Sequence, residues 1–165
     1  MVKSPGFEPG GVSPVVGSSP TPSTNMKILF LDIDGVVNCA RTYKAGTSNF
    51  PLDPYMAFLV ARIVEATGCK VVLSSSWRYH EESAEQVRQR VVDFIDVTPK
   101  LNGLTSRGTE IDKWLEAHPE VTKYAILDDN SDMLEEQMPN FFLCPWETGL
   151  TDEIAQNVID HLEYA

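Results

Sequence analysis

The sequence predicts an α/β domain with a central, mainly parallel sheet, on three observations. Short, largely apolar runs recur at 27–31, 70–73, 124–127 and 141–144. Each is too short for a core helix and bounded by turn or polar residues, as strands buried on both faces are. Stretches with apolar residues at helical spacing separate them, the alternation that builds parallel sheets. Three of the runs break at their carboxyl ends into acidic or hydroxyl residues, and ligand crevices of open α/β sheets lie outside those ends.

Residues 1–25 are rich in Pro, Gly and Ser and nearly free of charge. They lack the charged and apolar regions of a secretory signal, so a disordered leader is expected there and the folded domain over 26–165. Met26 directly precedes the first strand, so the leader could be an upstream extension. The run 27–31 ends in Asp32-Ile33-Asp34-Gly35. The irregular stretch 36–53, with Gly46 and Pro51, is long for a connection and reads as a small lid over a site, with Arg41, Tyr43 and Lys44 facing a ligand.

Residues 54–67 place Met56, Leu59, Val60, Ile63 and Val64 on one helical face, started by Asp53 before Pro54 and stopped by Gly68. The next strand, 70–73, runs into Ser74, Ser75 and Ser76. These hydroxyls can donate to an anionic oxygen or cap the following helix. That helix, 81–93, turns Val87, Val91 and Val92 inward. A short strand and loop over 94–103 lead to a helix that buries Ile111, Trp114 and Leu115, capped by Ser106 or Thr109. Arg107 at its entrance puts a cation near the positive end of the helix dipole, which suits a site that binds an anion. Strand 124–127 breaks into Asp128, Asp129 and Asp132. A helix over 133–138, a strand over 141–144 and a helix over 151–162 close the domain, the last with Ile154, Val158, Ile159 and Leu162 inward.

The formal net charge of −11 over 165 residues argues against a non-specific nucleic-acid or anionic-membrane surface, which needs a basic patch. No apolar run nears the ~20 residues of a membrane span. Cys39, Cys69 and Cys144 are far apart and form no Cys-x-x-Cys pair. That fits a reducing, cytoplasmic compartment better than a disulfide framework and leaves zinc without a ligand set.

Residues two apart on a strand share a face, so Asp32 and Asp34 are expected on the same side. Two carboxylates ~4 Å apart at an effective dielectric of ~20 repel by about 4 kcal/mol, so a cation sits between them or one stays protonated. A second acidic pair at another strand end, Asp128 and Asp129, is hard to explain without a cation.

Four motifs in order now carry a resemblance: Asp32-x-Asp34-Gly35-Val36 after an apolar strand, serine at the next strand's end, a basic residue opening a later helix, and Asp128-Asp129 after another strand. Together they resemble the haloacid dehalogenase-like (HAD) phosphohydrolase superfamily, over everything from Met26 onward. The phrases Ser75-Ser76-Trp77-Arg78 and Arg107-Gly108-x-Glu110-Ile111 further resemble small, cap-poor members, including phosphatase-like domains linked with RNA repair. The resemblance implies a Rossmann-like three-layer sandwich with minimal or no cap and a Mg²⁺ site at the carboxyl edge of the sheet. It implies Asp32 as the nucleophile that forms an aspartyl-phosphate, and Asp34 as general acid and then base. Ser74 matches the phosphate-binding hydroxyl, with Ser75 as its rival because the serine run leaves the register open. Arg107 matches the basic position, where the family usually has Lys; Arg keeps the charge but presents a planar fork. Asp32, the backbone carbonyl of Asp34 and Asp128 match the metal ligands, with Asp129 and Asp132 in support or acting through water.

The function so implied is a Mg²⁺-dependent phosphatase whose substrate is a small metabolite or nucleotide phosphate, in keeping with the acidic charge. A nucleic-acid end, such as a 3′-phosphate, is the alternative, with Trp77 and Arg78 placed to stack on a base; Trp77 as a core residue competes with that role. A receiver-like phosphoacceptor domain also groups aspartates around Mg²⁺, but in an inverse arrangement along the chain.

Overall fold

The computed structural model describes residues 25–45 and 49–164. The leader expected over 1–25 lies, except for Asn25, outside the described residues. Five strands form one sheet: β1 (Met26–Leu31), β2 (Lys70–Leu73), β3 (Asp96–Val97), β4 (Val121–Asp128) and β5 (Phe141–Leu143). All pair in parallel, in the order β3-β2-β1-β4-β5. The chain therefore starts in the middle, builds outward one way, then returns to build the other way. That is the doubly wound Rossmann-like order, and the reversal leaves its crevice between β1 and β4. A receiver has the order 2-1-3-4-5, which this sheet does not follow.

Alternation along the strands feeds two cores. Leu29, Leu31, Val71, Leu73, Ala125 and Leu127 face one layer, built by α2 (Pro54–Thr67), α3 (Glu81–Arg90) and α5 (Asp152–Tyr164). Ile28, Phe30, Val72 and Ile126 face the other, where Ile111 and Trp114 of α4 (Arg107–Glu116) cover them. Every residue from Ile28 to Leu31 is fully buried, as a central strand sandwiched between helices must be. The sequence anticipated α2 to its ends. Asp53 accepts hydrogen bonds from the backbone N–H groups of Tyr55 and Met56, Pro54 opens the helix, and Gly68 closes it with a left-handed φ of 72°.

Two expectations need correction. The stretch 36–53 is not an irregular lid throughout: Val36, Val37, Asn38 and Cys39 are fully buried, and a one-turn-plus helix α1 (Ala40–Ala45) follows. Backbone bonds tie this segment to the loop after β5, from Leu150 N–H to the Val36 carbonyl and from Ala40 N–H to the Trp146 carbonyl, both at 3.0 Å. The segment expected as a helix over 133–138 is instead a 3₁₀ turn, Glu135–Asn140, with Pro139 inside it. Proline has no N–H to donate and its ring clashes with an α-helical neighbour, so the tighter, shorter form prevails.

Candidate active site

β1 and β4 end side by side, and their last residues carry the acids. Asp32 Oδ, Asp128 Oδ and Asp129 Oδ atoms all lie within 4.8 Å of one another. Asp32 is 5% and Asp128 1% exposed, while Asp129 opens to solvent. The backbone holds them there: Asp32 N–H donates to the Leu127 carbonyl at 3.0 Å, and Cys144 N–H to the Asp128 carbonyl at 2.9 Å. Gly35 allows this convergence. It sits at φ 86°, and a Cβ on it would run into the Asp129 carboxylate, so both backbone and space require glycine.

Arg107 is the cation facing this trio. Its Nη1 lies 3.1 Å from Asp32 Oδ1 and 2.7 Å from Asp128 Oδ2. The oddity of a cation at a helix start disappears in the structure, because other groups serve the helix end. Ser106 accepts from Thr109 N–H, and Asp132 accepts from Arg107 N–H through its side chain and from Gly108 N–H through its carbonyl. The Arg107 side chain is thus left to the carboxylates. Gly108 permits the close approach, since a Cβ there would meet the backbone of Met133 and Leu134.

One guanidinium does not balance three carboxylates. Burial raises the pKa of Asp32 to about 6, against the lowering pull of Arg107. Burial, and then the neighbouring Asp32, raise that of Asp128 to about 8. A cluster of hard oxygen donors around a deficit of positive charge is the donor set that Mg²⁺ or a similar cation takes. Asp129 therefore stands among the candidate ligands, not in the supporting place expected for it, whereas Asp132 serves α4.

Asp34 is outside the trio. Its carboxylate accepts three side-chain donors: Asn38 Nδ2 at 3.0 Å and Tyr43 Oη at 2.8 Å on Oδ1, and Trp77 Nε1 at 3.1 Å on Oδ2. The Tyr43 phenol stays protonated, its pKa raised by burial and then by Asp34. Asn38 also accepts from Gly35 N–H and donates to the Pro51 carbonyl, so it locks the turn that carries Asp34. Sequence reading gave Asn38 no role; an Asn four residues past the second aspartate, in a turn that buries it, was the available signal.

The two serines differ in their partners. Ser75 Oγ caps the 3₁₀ turn Ser76–Tyr79 by accepting from Trp77 N–H at 3.1 Å. Ser74 Oγ is fully buried with no partner. An unpaired buried hydroxyl costs ~1–3 kcal/mol and calls for an explanation such as a ligand.

Arg78 is not placed to stack on a base, whereas Trp77 is largely buried yet still forms part of the wall of the cavity beside Asp34. Trp77 is 9% exposed and bound to Asp34. The Arg78 side chain, 2% exposed, pairs with Glu110 at 2.9 Å and donates to the carbonyls of Ser74, Ser75 and Thr98. A guanidinium satisfied on all sides by the end of β2 is a clamp on the scaffold. Arg41 is exposed and lines a cavity of about 830 Å³ that also takes in Asp34 and Tyr43.

The family model described as "HAD domain in Swiss Army Knife RNA repair proteins" matches residues 28–155. No curated protein matches the chain. Among solved structures, one titled "Structure of Pnkp1/Rnl/Hen1 complex" is similar at 15% identity with a TM-score of 0.49. The similarity covers 81% of this chain and 49% of that one, so this chain spans about half the length of the chain it matches.

Proposed function

The chain belongs to the HAD domains of Swiss Army Knife RNA repair proteins, hydrolases of the phosphatase kind in general terms, and we propose that it removes a terminal phosphate from a nucleic-acid strand. The observation that carries the reaction class is the convergence of Asp32, Asp128 and Asp129 on one point beside Arg107, with the unpaired Ser74 hydroxyl just past the end of the neighbouring strand. The family's place in RNA repair moves the substrate from the small metabolite favoured by net charge to the nucleic-acid end.

In this reading an Asp32 oxygen attacks phosphorus, and the bond from phosphorus to the leaving oxygen breaks. Asp34 gives that oxygen a proton, then takes one from the water that attacks the phosphorylated Asp32. Inorganic phosphate leaves and both aspartates are restored. Ser74 donates to a phosphoryl oxygen and Arg107 offsets its charge. Asp32, Asp128 and Asp129, with the Asp34 carbonyl implied by the family motif, would hold Mg²⁺. Bound there, the ion neutralises charge on the phosphoryl oxygens. The reading takes 26–165 as a single catalytic domain, and a reducing, cytoplasmic setting fits three free, buried cysteines. No helix among the described residues is long and apolar enough to cross a membrane.

The test is phosphate release from a 3′-phosphorylated oligoribonucleotide with Mg²⁺, compared with its 5′-phosphorylated counterpart and with sugar phosphates. Release from an oligonucleotide end that stops with EDTA and in Asp32→Asn supports the reading. Turnover confined to sugar phosphates would return the substrate to the metabolite class.

A further inference from the structure

The cavity beside Asp34 holds space that the phosphoryl group does not use. Asp32, Ser74, Arg107 and Asp128 do not line it, whereas Asp34 does. Asp34 is the group that faces the leaving oxygen in the proposed reaction, so what lies on its cavity side is the leaving group. The void measures about 830 Å³, near the upper end of the ~300–1,000 Å³ typical of small-ligand sites. Its walls carry four aromatic residues, Tyr43, Phe50, Trp77 and Tyr79, and the cations Arg41 and Arg90. Its two carboxylates are engaged: Asp53 caps α2, and Asp34 accepts three donors. Rings and cations suit a flat base and a backbone phosphate better than a polyol, which needs many hydrogen-bonding partners.

We infer that this cavity takes the last one or two nucleotides of a single strand and that the described residues offer no further track for nucleic acid. The inference rests on the reading above and narrows it. Arg41, exposed and in no salt bridge among the described residues, contacts the phosphate between those nucleotides. Beyond the cavity the strand meets a chain of net charge −11, which repels a polyanion and gives no extended row of phosphate contacts. The end is held, and the body of the strand is left in solvent.

The experiment compares kcat/KM for p-nitrophenyl phosphate, ribose phosphate, a nucleoside 3′-monophosphate, and single-stranded 3′-phosphorylated oligomers of two, six and twelve nucleotides. Adding the base is expected to raise kcat/KM about tenfold, the range of one stacked base. From the dimer to the dodecamer the value stays within about threefold, with the shallow salt dependence of one or two phosphate contacts. Arg41→Ala should remove the gain of dimer over monomer, read as a ratio within one protein so that a change in overall activity cancels. Equal turnover of ribose phosphate and nucleotide, or a kcat/KM that climbs steadily with length, overturns the inference while leaving the phosphatase intact. No turnover of any compound in the series, p-nitrophenyl phosphate included, overturns the proposed function and this inference with it.

Discussion

Three neighbouring strand ends put charge into the same edge of the sheet, and β2 treats it differently from β1 and β4. At the end of β2, Arg78 finds Glu110 and three backbone carbonyls, with Tyr79 Oη as a further partner. At the ends of β1 and β4, one guanidinium pairs with only two of three carboxylates, and Ser74 Oγ, only a residue past β2, has no partner. Buried polar groups in folded proteins are normally satisfied. The saturated Arg78 guanidinium therefore holds the fold, although Thr98 Oγ1 beside it has no partner, and the carboxylates of β1 and β4 leave room for a group from outside.

The contrast predicts opposite effects of mutation. Asp32→Asn should cut turnover by roughly 10³ or more, as loss of a nucleophile does, and should raise the melting temperature of the metal-free protein because a carboxylate leaves the crowded trio. Calorimetry beside a phosphatase assay checks both halves. Arg78→Ala should do the reverse on stability. It strands Glu110 and three carbonyls, costing ~3–5 kcal/mol as buried ion pairs do when one partner is removed, which urea unfolding will show. Smaller effects belong to the donors on Asp34. Tyr43→Phe and Trp77→Phe each remove one bond of 2.8 or 3.1 Å, and each should lower kcat about tenfold, with the melting temperature little changed in the more exposed Tyr43→Phe.

The smallest effect is on pH dependence. The folded pKa values of Asp32 and Asp128, about 6 and about 8, lie above their ordinary 3.8, so the fold holds their protons more tightly than the unfolded chain does. This contribution to metal-free stability is full below pH about 4 and is lost as pH rises through the folded values. In EDTA, Asp128→Asn should therefore gain on the wild type between pH 5 and pH 8.5 in melting temperature. A constant difference across that range would remove the coupling.

How much of this was legible in the sequence follows the same division. β1, α2 and β4 could be read because their apolar spacing, Asp53, Pro54 and Gly68 are local signals, and the fold class followed from them. Asp32 and Asp128 could be singled out because charge at the end of a buried run is anomalous wherever the partner lies. What could not be read was mutual position. Asp129 joins the trio, and Asp132 does not, because Gly35 and the helix end of α4 set their distances, and those are tertiary facts. Arg78 resembled a ligand group because an arginine beside an aromatic looks the same in sequence whether it faces solvent or, as here, a buried Glu110. Val36–Cys39 read as a loop because four residues are too few to show a period, although all four are buried.

In the proposed function, the acids from β1 and β4 meet in order to share one divalent ion. Mn²⁺ is a paramagnetic stand-in for Mg²⁺. Titrating it into metal-stripped protein and reading the free ion by electron paramagnetic resonance tests that directly. One saturable site per chain is expected, emptied by excess Mg²⁺ and lost in Asp128→Asn. Absence of saturable binding, or a site that survives Asp128→Asn unchanged, would contradict it.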